Sequence, residues 1–470
     1  LQTVTSLLKV DEKGNPLVGA TLQILTKDGK VVEEWISKDT AHIVTGLAHG
    51  EYIFHEVSAP SGYTLMTDVL FVVTDEPVVL KVQGQDLQTV TSLLKVDEKG
   101  NPLVGAMLQV LTKDGKLVEE WISTDKAHEI VGLAHGEYIF HEVSAPSGYM
   151  LMSDVPFTVT DMPRTLMVQG RDLQTVTELL KVDENNDPLV GATLQVLKAD
   201  GTLVDEWVST DVSHELVGLE HGEYILHEVS APSGYKLMED VAFYVDDQPQ
   251  TVKVQGQDLQ TRVEIDKFDS DGNKLFGATM QIINKATGEV VEEWTTTDET
   301  KVVEGLEHGD YILREITAPN GFQKVLDIEF TITDDNGVTI LEVTDELTKT
   351  IIEKVDENGK LLTGAHLQII NDKGEVVREF ITDGKAYVIE GLAHGTYTLH
   401  EVQAPKGYQL ADDIQFTVTD DNGELIVTML DKAIVEVPQT GFDQNTLMIG
   451  GLALVIVGSA VATKKRKRNN

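Results

Sequence analysis

The sequence predicts an all-β chain of five tandem β-sandwich modules followed by a C-terminal transmembrane helix, and three observations carry that expectation. The first is an internal repeat: "LQTVTSLLKVDEKGNPLVGA" at Leu1 returns at Leu87 and, slightly altered, at Leu173, then more loosely at Leu259 and Leu347, with a period of 86 to 87 residues. The second is punctuation. Turn signals such as "KGNP", "KDGK", "AHGE" and "APSGY" separate short runs of alternating apolar residues, and no sustained 3.6-residue pattern lies between them. Turn spacing of that kind suggests about seven strands per module. The third is a 17-residue uncharged run, Leu447 to Thr463, followed at once by "KKRKR", Lys464 to Arg468. It reads as a stop-transfer helix near the lower length limit, with the basic cluster on the cytoplasmic side. The modules are placed at 1–86, 87–172, 173–258, 259–345 and 346–435, and the C-terminal segment at 436–470.

Composition narrows what such a chain can do. At 470 residues with 41% apolar content it can bury several separate cores. Its formal charge of −41 would repel phosphate backbones, so nucleic-acid binding is not expected. With no cysteine there are no disulfides, thiolate zinc sites or cysteine nucleophiles, and stabilisation must come from elsewhere. Leu1 corresponds to Leu87, which follows a repeated aspartate, so the natural protein is expected to extend upstream through a further module and a signal peptide.

Within a module, strand alternation assigns each residue a face. In the first strand of module 4, "VEIDKF", Val263, Ile265 and Lys267 share the apolar side and Glu264 and Asp266 the other. The corresponding lysines are Lys9, Lys95, Lys181 and Lys354. Burial is expected to depress the amine's pKa and favour its neutral, nucleophilic form. The following "DSDGN", with Asp269, Asp271 and Asn273, has the look of a calcium loop, but its glycine comes too early and the bidentate glutamate is missing, so a hairpin turn is expected. Trp35, Trp121, Trp207 and Trp294 recur in "EEW" runs and are read as core or sheet-face packing rather than a sugar platform. His49, His135, His221, His308 and His394 sit one per module in "HG" turns and are read as exposed turn residues, not metal ligands.

Two further ionisable groups fall on the inward face. In "YIFHEV", Tyr52, Phe54 and Glu56 point the same way, as do Tyr311, Leu313 and Glu315, and Tyr397, Leu399 and Glu401; Glu142 and Glu228 are the equivalents in modules 2 and 3. A charged carboxylate buried without a partner costs several kcal/mol, so something must pair with it or keep it protonated. In the last strand Leu341, Val343 and Asp345 share a face, and so do Val427, Met429 and Asp431. The lysine-to-glutamate spacing is 47 in four modules and 48 in the fourth; the lysine-to-aspartate spacing is 77, or 78 in the fourth. Asp86, Asp172 and Asp258 follow "VQGQD" or "VQGRD", where glycine weakens a strand or marks a bulge, and a one-residue slip would turn the aspartate outward. On residue type alone the set is either a buried salt-bridge network or a reactive cluster.

The modules resemble the Cna protein B-type domain, also called SpaA-like or prealbumin-like, an inverse-Ig sandwich of Gram-positive surface proteins and pilins. The resemblance covers residues 1 to about 435 and rests on the "YxLxExxAPxGY" box, matched by "YIFHEVSAPSGY", "YILHEVSAPSGY", "YILREITAPNGF" and "YTLHEVQAPKGY". It implies a spontaneous isopeptide bond between the first-strand lysine and a last-strand acceptor, with the box glutamate as proton shuttle. Residue by residue this gives Lys9 with Asp86 and Glu56, Lys95 with Asp172 and Glu142, Lys181 with Asp258 and Glu228, Lys267 with Asp345 and Glu315, and Lys354 with Asp431 and Glu401. The more familiar acceptor is asparagine, so here water rather than ammonia would leave. Such chemistry acts once, needs no cofactor and makes the protein no enzyme.

Val437, Pro438, Gln439, Thr440 and Gly441 precede the apolar run, and the whole resembles an LPXTG-type sorting signal with valine in place of leucine. That implies a sortase as partner, cleavage between Thr440 and Gly441, and covalent transfer of Thr440 to peptidoglycan, the membrane holding the chain until sorting. Only nine positions separate each acceptor from the next lysine, too few for a floppy linker. The reading is a secreted, wall-anchored surface protein of adhesin type whose repeats form a semi-rigid stalk, with a host or matrix ligand bound through the upstream region. Two alternatives stay open: modules that bind such a ligand directly, and a basal or minor pilus subunit, although no "YPK" pilin motif is present.

Overall fold

The computed structural model describes residues 2–335, 337–421 and 423–435. The segment 437–441 expected to be a sortase motif, the apolar run 447–463 expected to be a transmembrane helix and the basic tail lie outside the described residues. Among the described residues every named element is a strand, and no helix is long and apolar enough to cross a membrane. The chain divides into two compact units, one formed by Leu1–Val229 with Met238–Gln257, the other by Ser230–Leu237 with the chain from Asp258 onward.

Module 1 shows the plan. Its strands are β1 (Val4–Val10), β2 (Thr21–Thr26), β3 (Val31–Ile36), β4 (His42–Thr45), β5 (Gly50–Ser58), the short β6 (Tyr63–Thr64), β7 (Val69–Val73) and β8 (Val79–Gln85). One sheet has the order β4-β1-β8 and the other β3-β2-β5-β7, so seven strands make a two-layer sandwich. Alternation does the sorting: along β1, Thr5, Leu7 and Lys9 turn inward, and along β5, Tyr52, Phe54 and Glu56 do. Leu7, Leu22, Ile24, Phe54, Phe71 and Val82 fill the space between the sheets. The same three-plus-four arrangement recurs in the other four modules, each with its own core.

The sheet that matters for the site is the smaller one, because β1 and β8 run parallel. The pairing spans the whole module in sequence and brings Lys9 opposite Gly84 and Val10 opposite Gln85. The register is unbroken from Val4–Val79 onward, so the glycine introduces neither bulge nor slip, and Asp86 continues the ladder by donating its N–H to the Val10 carbonyl at 2.9 Å. Module 2 keeps the same register from Val90–Thr165 to Val96–Arg171. In module 4, where valine stands in for the glycine, the parallel pairing runs on to Asp269–Asp345.

Within the first unit, consecutive modules meet through the loop that ends in the box. β6 pairs with β9 (Leu87–Gln88), which leads into β10 (Val90–Val96), the first long strand of module 2. The Thr89 N–H donates to the Gly62 carbonyl at 3.0 Å and its hydroxyl to the Leu133 carbonyl at 2.9 Å. The turn histidines depart here from their expected exposure. His135 is half-buried, its N–H bonded to Ser61 Oγ at 3.0 Å and its ring Nε2 to the Tyr63 carbonyl at 2.8 Å. A carbonyl only accepts, so Nε2 carries the proton. His221 repeats the ring contact on Tyr149, and within the second unit His308 does so on Tyr235 and His394 on Phe322. His49, with no module before it in this sequence, remains exposed as expected.

Candidate crosslinking site

The three inward ionisable groups of module 1 meet at one end of the sandwich. β1 brings Lys9, β5 brings Glu56 across the core, and the residue after β8 is Asp86; all three side chains are wholly shielded from solvent. Lys9 Nζ lies 2.9 Å from Glu56 Oε2 and also contacts Asp86 Oδ1. The Met66 N–H donates to Glu56 Oε2 at 2.7 Å, which fixes the carboxyl from the loop side. Glu56 Oε1 and Asp86 Oδ2 are buried and receive no donor among the described residues. Two such oxygens in a dry site are satisfied when one carboxyl is protonated and shares its proton with the other.

The same set forms in modules 2, 4 and 5. Lys95 meets Glu142 at 2.8 Å, Lys267 meets Glu315 at 3.0 Å and Lys354 meets Glu401 at 2.9 Å, each lysine also contacting its aspartate, Asp172, Asp345 or Asp431. In module 3, Lys181 pairs with Glu228 at 3.1 Å, and Asp258 is fully buried.

Burial pushes Asp86 up to about 8, opposed by the Lys9 hydrogen bond and reinforced by Glu56. Asp172 and Asp345 rise to about 7 and Asp431 also rises, burial again being the largest cause. A neutral carboxyl is the form an amine can attack, since a carboxylate repels the nucleophile and has no leaving hydroxyl. For an acid with a raised pKa, that form persists below the raised value and is lost above it. Were the lysines to attack these carboxyls, chain kept unfolded since synthesis and then folded at set pH would form links at rates that fall as pH rises through about 7 in modules 2 and 4 and about 8 in module 1. Timed peptide mapping reads each module separately; rates that climb steadily across this range would contradict the neutral-acid mechanism.

The other candidates fall into place as packing and turns. Trp35 lies between His42, at a centroid distance of 4.4 Å, and Phe54, at 5.8 Å, stacked on both. The Asp269 carboxyl accepts the N–H groups of Asp271 and Asn273 and closes the hairpin turn upon itself.

The SpaA prealbumin-like fold domain matches the chain five times, at residues 3–87, 89–173, 175–260, 261–347 and 348–433. Among solved structures the chain is similar to the TIE protein of Bacillus anthracis at 20% identity, covering 70% of this chain and 68% of that one, with a TM-score of 0.35. It is similar to BcpA, the major pilin subunit of Bacillus cereus, at 17% identity over 56% of this chain and 100% of that one, TM-score 0.30. A third likeness is to the full-length major pilin SpaD from Corynebacterium diphtheriae, at 14% identity over 55% and 97% of the two chains, TM-score 0.29. A search of curated proteins finds no match. With five matches that together run over nearly all of its described residues, the chain belongs to the SpaA prealbumin-like domain family.

Proposed function

We propose that this chain is the self-locking stalk of a Gram-positive surface protein, its modules closed by Lys–Asp isopeptide bonds and its C-terminus joined by a sortase to peptidoglycan through Thr440. The observation that carries the reading is the repeated dry cluster in which a lysine amine, a glutamate and an aspartate with a raised pKa converge. In module 1 the neutral Lys9 amine attacks Cγ of protonated Asp86. The Nζ–Cγ bond forms, the C–OH bond breaks, and Glu56 takes a proton from nitrogen and returns it to the departing hydroxyl, so one water leaves. The fold holds both reactants in place, and effective molarity replaces an activated substrate. No turnover follows, so the protein is not an enzyme in the ordinary sense.

The alternative is a basal or minor pilus subunit, and one experiment separates the two while testing the crosslinks. Peptide mapping of protein released from the wall should recover Lys–Asp linked peptides short of one water in each module and a C-terminal peptide ending at Thr440 on a wall amine. Thr440 on a lysine of another protein would favour the pilus, and unlinked Lys and Asp peptides throughout would overturn the crosslink.

A further inference from the structure

Gly84 stands opposite Lys9 in the parallel register, two residues before Asp86. A Cβ added there would overlap Met66 Sδ and come within 2.9 Å of Phe54 Cε1. The methionine that fills the space over this glycine is also the residue whose backbone N–H holds Glu56. Modules 2 and 3 repeat the arrangement: Met152 covers Gly170 and Met238 covers Gly256, their N–H groups donating to Glu142 and Glu228 at 2.8 Å.

Modules 4 and 5 fill the same space from other sides. Val343 stands opposite Lys267, and Val325 supplies the N–H to Glu315 at 2.9 Å. Met429 stands opposite Lys354, and Ala411 supplies the N–H to Glu401 at 2.7 Å. Glycine goes with methionine, valine with valine, methionine with alanine. Bulk is distributed differently between two walls of the same site, as a close-packed core allows.

We propose, on the crosslink reading above, that these two positions are a complementary pair that closes the site against water and seats the glutamate, which makes Met66, Met152 and Met238 positioning residues for bond formation. Water admitted at Met66 would solvate Asp86, favour its ionised form and remove the electrophile. A bulky residue at Gly84 without a smaller partner at 66 would displace the loop that holds Glu56.

The test changes module 1 in the full chain and keeps modules 2 to 5 as internal controls. Gly84→Val alone is expected to leave Lys9 and Asp86 as unlinked peptides, and Gly84→Val with Met66→Val and Phe54→Leu, the side chains that module 4 has at these three places, to restore the link. Met66→Ala is expected to slow closure in refolded chain and to move the upper pH limit of the reaction downward, a change that lost packing alone would not produce. A link that forms in Gly84→Val as in the unaltered chain, a triple variant that fails to restore it, or an unshifted pH profile in Met66→Ala overturns the inference. Absence of links in every module of the unaltered chain would instead overturn the crosslink reading, and this inference with it.

Discussion

Glu56→Gln in the full chain is expected to add one water to the mass and to leave Lys9 and Asp86 unlinked, while modules 2 to 5 stay closed. Glutamine can still accept the Met66 N–H that reaches Glu56 at 2.7 Å, so the loop keeps its anchor. What it lacks is a carboxyl proton to exchange with Lys9 and Asp86. Opening a ring of about 77 residues removes roughly 4.5 kcal/mol of restraint on the unfolded chain by the loop-entropy relation. For a domain of this size that corresponds to a fall of roughly 20 to 30 °C in the melting temperature of one module. Calorimetry of the full chain should show one transition moving down and the rest in place. A Glu56→Gln chain that still lacks the water of module 1 would remove glutamate from the mechanism.

The second large effect concerns the joint between modules 1 and 2. Gly62 and Gly407 occupy the same box position in modules 1 and 5, each at φ +88°. Alanine at either costs roughly 1–2 kcal/mol because a side chain disfavours the left-handed region. Their surroundings differ: a Cβ at Gly62 would lie 2.8 Å from the Gly132 carbonyl oxygen of the next module, and one at Gly407 meets nothing within 4 Å among the described residues. Gly62→Ala should therefore also spread the joint. Amide exchange at Thr89, Gly132 and His135, whose N–H groups bond across or beside that contact, should quicken by more than about tenfold, a loss above 1.4 kcal/mol. In Gly407→Ala, exchange at Ile434, which donates to the Gly407 carbonyl, should change far less. Equal changes in the two variants would show that the joint bears no load of its own.

Much of the site could be read from the sequence because strand alternation and a fixed spacing are both local bookkeeping. Lys9, Glu56 and Asp86 each stand on the apolar side of an alternating run, and the recurrence of their spacing through five modules argued for a single cluster. The glycine of "VQGQD" was the weak point of that reading, since alternation shows that a position is inward but not what fills the space in front of it. Met66 supplies the answer, and it lies outside every recognisable motif. The histidines illustrate the other limit. His49 and His135 occur in the same "AHGE" turn, yet one is exposed and the other is bonded to the Tyr63 carbonyl. The difference lies in the neighbouring module and not in the turn.

The parallel pairing of β1 with β8 has a mechanical consequence. Force applied along the chain enters at the Val4 end of β1 and leaves at the Gln85 end of β8, at opposite ends of a seven-residue ladder. The ladder is thus loaded in shear, with its hydrogen bonds sharing the load instead of opening one after another. An unlinked module that gave way would release roughly 260 Å of slack from 77 residues at extended-chain spacing. With Lys9 joined to Asp86, the covalent path runs up β1 as far as Lys9, crosses one side-chain bridge and continues into the next module. The residues between are left outside the line of force, so tension passes through the module without lengthening it.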